Sequence, residues 1–245
     1  MSHALILQNV SREGPGLLAE ALRLKNFTVE ICDLDAGGPI PPLEGFNLLI
    51  VLGGPDSAND QNVKIQQELG LIRDWIHSDK PYLGICLGLQ MMVKAAGGRV
   101  VKAVQKELGF HDPEGLVYEL LLTPDGRKDP LFNGLAEPIP VFQLHGETVE
   151  LTPDMALLAR GVHCQNQVVR YKRNVYGIQC HIEVTKDLLS VWADEDEDLR
   201  NMPRQKLLDH YAVIKGPYQE TGLKLLSNFL DAVMTTRVEA ENESR

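Results

Sequence analysis

Ten residues, Pro81–Gln90 (PYLGICLGLQ), dictate a particular local fold. Tyr82, Leu83 and Ile85 predict a short buried strand, and Leu87, Leu89, Met91, Met92 and Val93 predict a helix directly after it. The turn between them is Gly84-Ile85-Cys86-Leu87-Gly88. So sharp a strand-to-helix turn crowds its own flanks, and glycine, with no Cβ, relieves the crowding. The spacing is that of a nucleophile elbow with cysteine at the nucleophile position. There the sulfur would sit at the positive end of the helix dipole, which favours thiolate over thiol. On its own the spacing equally fits a small buried cysteine packed between two glycines. The choice rests on the rest of the chain.

The segments around the elbow alternate in type. His3–Val10 is a short apolar run, a first strand, broken by Glu13-Gly14-Pro15-Gly16. Leu17–Lys25 has helical spacing, Phe27–Cys32 alternates as a second strand, and Asp33–Gly45 is a Gly- and Pro-rich loop. Phe46–Leu52 (FNLLIVL) is nearly all apolar, as suits a strand buried on both faces, and ends at Gly53-Gly54-Pro55. Asn62–His77 is helical, and Gly97-Gly98 ends the helix after the elbow. This pattern predicts an α/β fold with an open, mostly parallel central sheet and helices on both faces. Short strand candidates then follow at Val100–Val104, Leu116–Leu122, Ile139–Phe142, Thr148–Leu151, Ala156–Arg160, Gln167–Tyr171 and Val175–Cys180. They are expected to extend the sheet antiparallel or to form a small antiparallel side sheet. From Val184 the chain turns helical, with a long last helix over Pro217–Met234 and a frayed tail after Arg237. The acidic run Asp194–Asp198 reads as solvated surface, because side chains at consecutive positions diverge rather than converge on a metal. The whole chain, 1–245, reads as one domain with a helical C-terminal extension over 184–237.

Composition narrows the function. With Lys+Arg 24 against Asp+Glu 34 the net charge is −10, and no basic stripe is present, so nucleic acid is an unsuitable partner. The four cysteines (Cys32, Cys86, Cys164, Cys180) show neither a disulfide framework nor a CxxC metal spacing, and point to a reducing compartment. No signal peptide and no apolar run of membrane-spanning length is read, so a soluble cytoplasmic protein is expected, with no metal and no cofactor.

A cysteine nucleophile needs a base, and the base needs an orienter. Among seven histidines, His181 stands out. It ends the apolar run Tyr176-Gly177-Ile178-Gln179-Cys180-His181-Ile182-Glu183, and in an extended segment Glu183 falls on the same side. Cys180 would then face the opposite way, into the core, as a structural residue.

GICLGLQ, with YGIQCHIE downstream, resembles the class I (triad-type) glutamine amidotransferases, whose patterns are G-x-C-x-G-x-Q and G-x-Q-x-H-x-E. VLGGPDS (Val51–Ser57) resembles the family's oxyanion loop, and Val141–Ala159 its histidine-containing, glutamine-lining segment. The likeness runs from Leu5 to Val191 and is nearest to the glutaminase domain of GMP synthase and its stand-alone relatives. It departs at Ile182, where many members carry proline.

The resemblance implies a flavodoxin-like fold and the following roles. Cys86 attacks the side-chain amide carbon of glutamine; His181 takes the thiol proton and gives it to the leaving ammonia; Glu183 orients His181. Backbone N–H groups of Gly54 and Leu87 form the oxyanion hole, and Gly53, Gln90, Leu144 and His145 bind substrate. No P-loop or pyrophosphatase loop is present, so the ammonia acceptor would be a separate synthase chain or another, unidentified, acceptor. Two alternatives stay open: a γ-glutamyl peptidase or hydrolase using the same machinery, and a non-catalytic amidotransferase-like binding module.

Overall fold

Strands without a polar alternate cannot face water, and here they form the centre of the sheet. In the computed structural model, which describes residues 2–243 and their side chains through residue 235, β1 (His3–Gln8) is buried beyond its first residue. β3 (Leu48–Val51), β4 (Tyr82–Ile85) and β11 (Val175–Ile178) are buried throughout. With β2 (Thr28–Asp33) they pair in parallel in the order β2-β1-β3-β4-β11. The sheet continues antiparallel through β10 (Val168–Tyr171), β9 (Met155–Arg160), β6 (Glu119–Leu122) and β7 (Ile139–Pro140), giving nine strands. β5 (Arg99–Gly109) and β8 (Gln143–Glu150) form a separate antiparallel pair. The expected architecture, an open and mostly parallel sheet with a small antiparallel side sheet, is present.

Strand alternation sorts the core into two layers. Ala4 and Ile6 face one cluster, shared with α1 (Leu17–Leu24), α4 (Lys186–Glu195) and α5 (Arg204–Glu243). Leu5 and Leu7 face the other, shared with α2 (Val63–His77) and α3 (Leu87–Ala95). Asn62 caps α2, its side chain accepting from Ile65 N at 2.9 Å. Among the described residues no helix is long and apolar enough to cross a membrane.

Three details differ from expectation. α5 starts at Arg204, well before Pro217, which lies inside it. A proline removes one helical hydrogen bond, here to the carbonyl of Val213. Val213 is 81% exposed, so that carbonyl lies on the wet side, while Tyr211, Ile214 and Tyr218 keep the inner face packed. The backbone stays helical through Glu243, past Arg237; side chains from 236 on lie outside the described residues. β5 and β8 are longer than their apolar cores, because backbone pairing carries them through charged positions, with a register irregularity between Lys102 and Glu107. The acidic run is not simply solvated: Asp196 is 8% exposed and its carboxylate accepts from Arg12 Nη2 at 2.8 Å and from the backbone of Asp198 and Leu199.

The turn from β4 into α3 needs its glycines. Cys86 adopts φ +52°, a conformation L-residues rarely take. A Cβ on Gly84 would lie 2.3 Å from the Gly88 carbonyl carbon, and one on Gly88 would lie 2.2 Å from Val51 O. Gly88→Ala is therefore expected to destabilise the fold by about 3 kcal/mol or more, read as a lowered denaturant midpoint.

Glu68, on the buried face of α2, is fully inaccessible, with neither carboxylate oxygen in hydrogen-bond geometry. Burial raises its pKa to about 7, against the opposing pull of Lys64. The folded state thus holds a proton that the unfolded chain releases near 4.5, so stability falls as pH rises from about 4.5 through about 7. Glu68→Gln should equal the wild type at about pH 4.5 and exceed it by on the order of 3 kcal/mol at about pH 8.5, measured by thermal unfolding at both.

Candidate active site

The C-terminal ends of β3, β4 and β11 lie side by side, and the candidate residues follow directly from them. Cys86 comes after β4, with its N–H donating to Ile178 O of β11 at 2.7 Å. The chain beyond β11 then pairs His181 with Phe142 through two backbone hydrogen bonds, of 2.7 and 3.1 Å. This fixes the backbone on which the imidazole stands.

His181 and Glu183 do share one side. Nδ1 of His181 lies 2.6 Å from Glu183 Oε1, and Glu183 Oε2 accepts from Ile182 N at 2.8 Å. A carboxylate can only accept, so Nδ1 carries the proton and Nε2 is turned toward Cys86. Nε2 is buried and has no partner in hydrogen-bond geometry. Burial alone would lower the His181 pKa, but the charge and hydrogen bond of Glu183, with Cys86 nearby, outweigh it and hold the imidazole well above its ordinary value. Trp192 of α4 stands edge-on to the ring, with centroids 5.0 Å apart.

A cavity of about 790 Å³ opens on this group, lined by Cys86, His181, Gly54, Leu87, Gln90, Leu144 and His145 among others. Gly53 sits behind the lining, where a Cβ would meet Glu13 Oε2 at 2.5 Å, His181 Cε1 at 3.1 Å and the Cys86 Cβ at 3.5 Å. Gln90 is 4% exposed rather than on an outer helix face. Its amide donates to Glu147 O at 3.3 Å and to Gln179 Oε1 at 3.4 Å, and Gln179 Nε2 lies 3.7 Å from the Cys86 sulfur. Leu144 offers its carbonyl to the same sulfur at 3.7 Å. His145 Nδ1 donates to Glu147 O at 3.0 Å, while its Nε2 lies 2.9 Å from the fully buried Glu107. Glu107, His145 and Cys164 bring ligand-type atoms within 4.8 Å of one another. They are held as a polar cluster, with Gln167 donating to Glu107 at 3.3 Å and Thr148 Oγ1 3.2 Å from the Cys164 sulfur. Cys180 is fully buried in the core, and burial pushes its thiol well above the ordinary value.

Several contributors are not evident in the sequence alone. The Tyr218 hydroxyl, from the middle of α5, donates to His181 O at 3.0 Å and accepts from Val184 N at 3.1 Å. It brackets the segment that carries His181 and Glu183. Gln179 lies inside the downstream motif, and its position two residues before His181 is the signal for it. Glu107, Glu13 and Tyr218 carry no local signal, because only tertiary pairing brings them to the site.

Comparison with known proteins identifies the family. The family model for glutamine amidotransferase class-I matches residues 16–189. The glutamine amidotransferase-like protein YfeJ of Salmonella typhimurium is 28% identical over 229 residues, covering 90% of this chain and 92% of that protein. GMP synthase [glutamine-hydrolyzing] of Thermosipho melanesiensis is 30% identical over 171 residues, which are 69% of this chain but only 30% of the synthase. Among solved structures, a glutamine amidotransferase from Thermotoga maritima superposes with a TM-score of 0.80 at 24% identity, covering 93% of this chain and 97% of the other. Motifs, sheet and relatives together place the chain in the class I glutamine amidotransferase family.

Proposed function

We propose that this chain hydrolyses the side-chain amide of glutamine to glutamate and ammonia, with Cys86 as nucleophile. The observation that carries the reading is the chain of contacts from Glu183 through His181 to the elbow cysteine, all opening on one cavity. His181 Nε2 takes the thiol proton as sulfur attacks the amide carbon. The backbone N–H groups of Gly54 and Leu87 receive the developing oxyanion, a contribution on the order of several kcal/mol in comparable sites. The tetrahedral intermediate collapses, and His181 returns the proton to the leaving ammonia. A water activated by the same imidazole then splits the thioester, releasing glutamate. Gln90, Leu144, His145 and Gly53 frame the substrate. Some relatives are named as one subunit of a glutamine-hydrolysing GMP synthase. That of Pyrococcus abyssi, 30% identical over 150 residues, supports a separate synthase chain as the recipient of the ammonia.

A second reading draws on the cavity. At about 790 Å³ it exceeds what free glutamine requires and falls in the range of larger ligands. The same chemistry would cleave a γ-glutamyl amide with a larger leaving amine. Parallel assays of glutamate release from glutamine and from γ-glutamyl dipeptides separate the two by their kcat/KM ratio.

Cys86→Ala should lower glutamate release by at least about 10³-fold with the fold intact by circular dichroism. Undiminished release would overturn the nucleophile assignment. Tyr218→Phe keeps the ring in the core but loses both hydroxyl contacts. It should lower kcat by about 10-fold with little change in KM, because it disturbs the posture of the base rather than substrate contact.

A further inference from the structure

The loop Glu13-Gly14-Pro15-Gly16 breaks the chain after β1, and the proposed chemistry leaves it without a task. It is nonetheless fastened to the site. Leu17 N donates to Glu183 O at 2.8 Å, and Gly16, at φ +48°, passes so close that a Cβ there would lie 2.0 Å from the same oxygen. Trp192 Nε1 donates to Arg12 O at 2.9 Å, tying the loop to α4 as well. These contacts bury Glu13 to 5% exposure and leave its carboxyl on the cavity wall. Its Oε2 and the Cε1 edge of His181 converge on the same point above Gly53. Glu183 holds the imidazole at Nδ1, and Nε2 is turned toward Cys86, so Cε1 is the edge between them.

We propose that Glu13 is a positioning residue for His181: a second carboxyl, set at the Cε1 edge of the ring, whose negative charge favours the imidazolium that forms when the cysteine gives up its proton. The proposal rests on reading Cys86 and His181 as nucleophile and base. Physically, a carboxylate this close to a buried imidazolium stabilises it by charge, and the same burial makes the carboxyl reluctant to ionise. Glu13 shows this conflict. Burial raises its pKa to about 7; His181 and Arg12 pull it down, while Glu183 and Asp196 push it up. Those are the charged groups around it: Arg12 on its own loop, with Nη2 3.8 Å from Glu13 Oε1, His181 and Glu183 beyond β11, and Asp196 at the end of α4, itself paired with Arg12. Below neutrality the site would carry one carboxylate beside the base, and above it two. The imidazolium would then persist to higher pH than Glu183 alone sustains.

Both tests avoid glutamine, so loss of the glutaminase reading and loss of this one remain separable. The rate of Cys86 carboxamidomethylation by iodoacetamide is followed by mass spectrometry from about pH 5 to about 9, the span over which imidazole and a displaced carboxyl titrate. The wild type should show a step near pH 7 that Glu13→Gln lacks, and the alkaline limb of the variant should fall about one pH unit lower. Superimposable profiles overturn the proposal. In unaltered protein, the Cε1 proton of His181 is followed by NMR over the same range. An inflection near pH 7 is expected, and its absence overturns the proposal whether or not the variant folds. Glutamate release that fails in the wild type would instead count against the proposed function and leave both measurements interpretable.

Discussion

The site depends on parallel pairing between β4 and β11. That pairing aligns Gly84 with Gly177 and Ile85 with Ile178, and it ends on the hydrogen bond from Cys86 N to Ile178 O. Two segments far apart in sequence are thereby brought to the same sheet edge, one ending at Cys86 and the other, three residues beyond the strand, reaching His181. In open α/β sheets the crevice beyond the strand ends is where ligands bind, because the loops there diverge while the strands beneath stay rigid. The turn geometry adds direction. With φ positive at Cys86 the chain reverses into α3, and the sulfur is left at the helix N-terminus facing the cavity.

Much of this arrangement was legible in the sequence, for a physical reason. Strands buried on both faces have no choice but continuous apolar sequence, so Phe46–Leu52 and Pro81–Ile85 declare themselves. Gly84 and Gly88 are equally constrained, since any side chain would strike Gly88 and Val51 backbone. His181 and Glu183 lie two residues apart in an extended run, so their common side follows from strand geometry alone. What stayed hidden depends on distant pairing. Nothing around Tyr218 marks it as a support of His181, because its role arises only when α5 packs across α1 and α4. Pro217, one residue before it, reads locally as a helix start, and only the packed inner face of α5 carries the helix through.

The polar interior follows the same logic. Gln90, Gln179, Glu107 and His145 are all nearly inaccessible, and each finds a hydrogen-bond or ion-pair partner in another of them or in nearby backbone. A buried polar group costs free energy unless it is partnered, so such a network holds its members in fixed places. Gln90 and His145 carry this network to the cavity wall.

The family match ends at residue 189, yet the hydroxyl that bridges His181 O and Val184 N belongs to residue 218. The matched part of the sequence therefore contains Cys86, His181 and Glu183 but not everything that holds them. A fragment cut at the family boundary would keep Cys86, His181 and Glu183 and lose one of the clamps on the backbone joining the last two. The segment beyond residue 189 can thus change how the backbone from His181 to Val184 is held with no change in either motif.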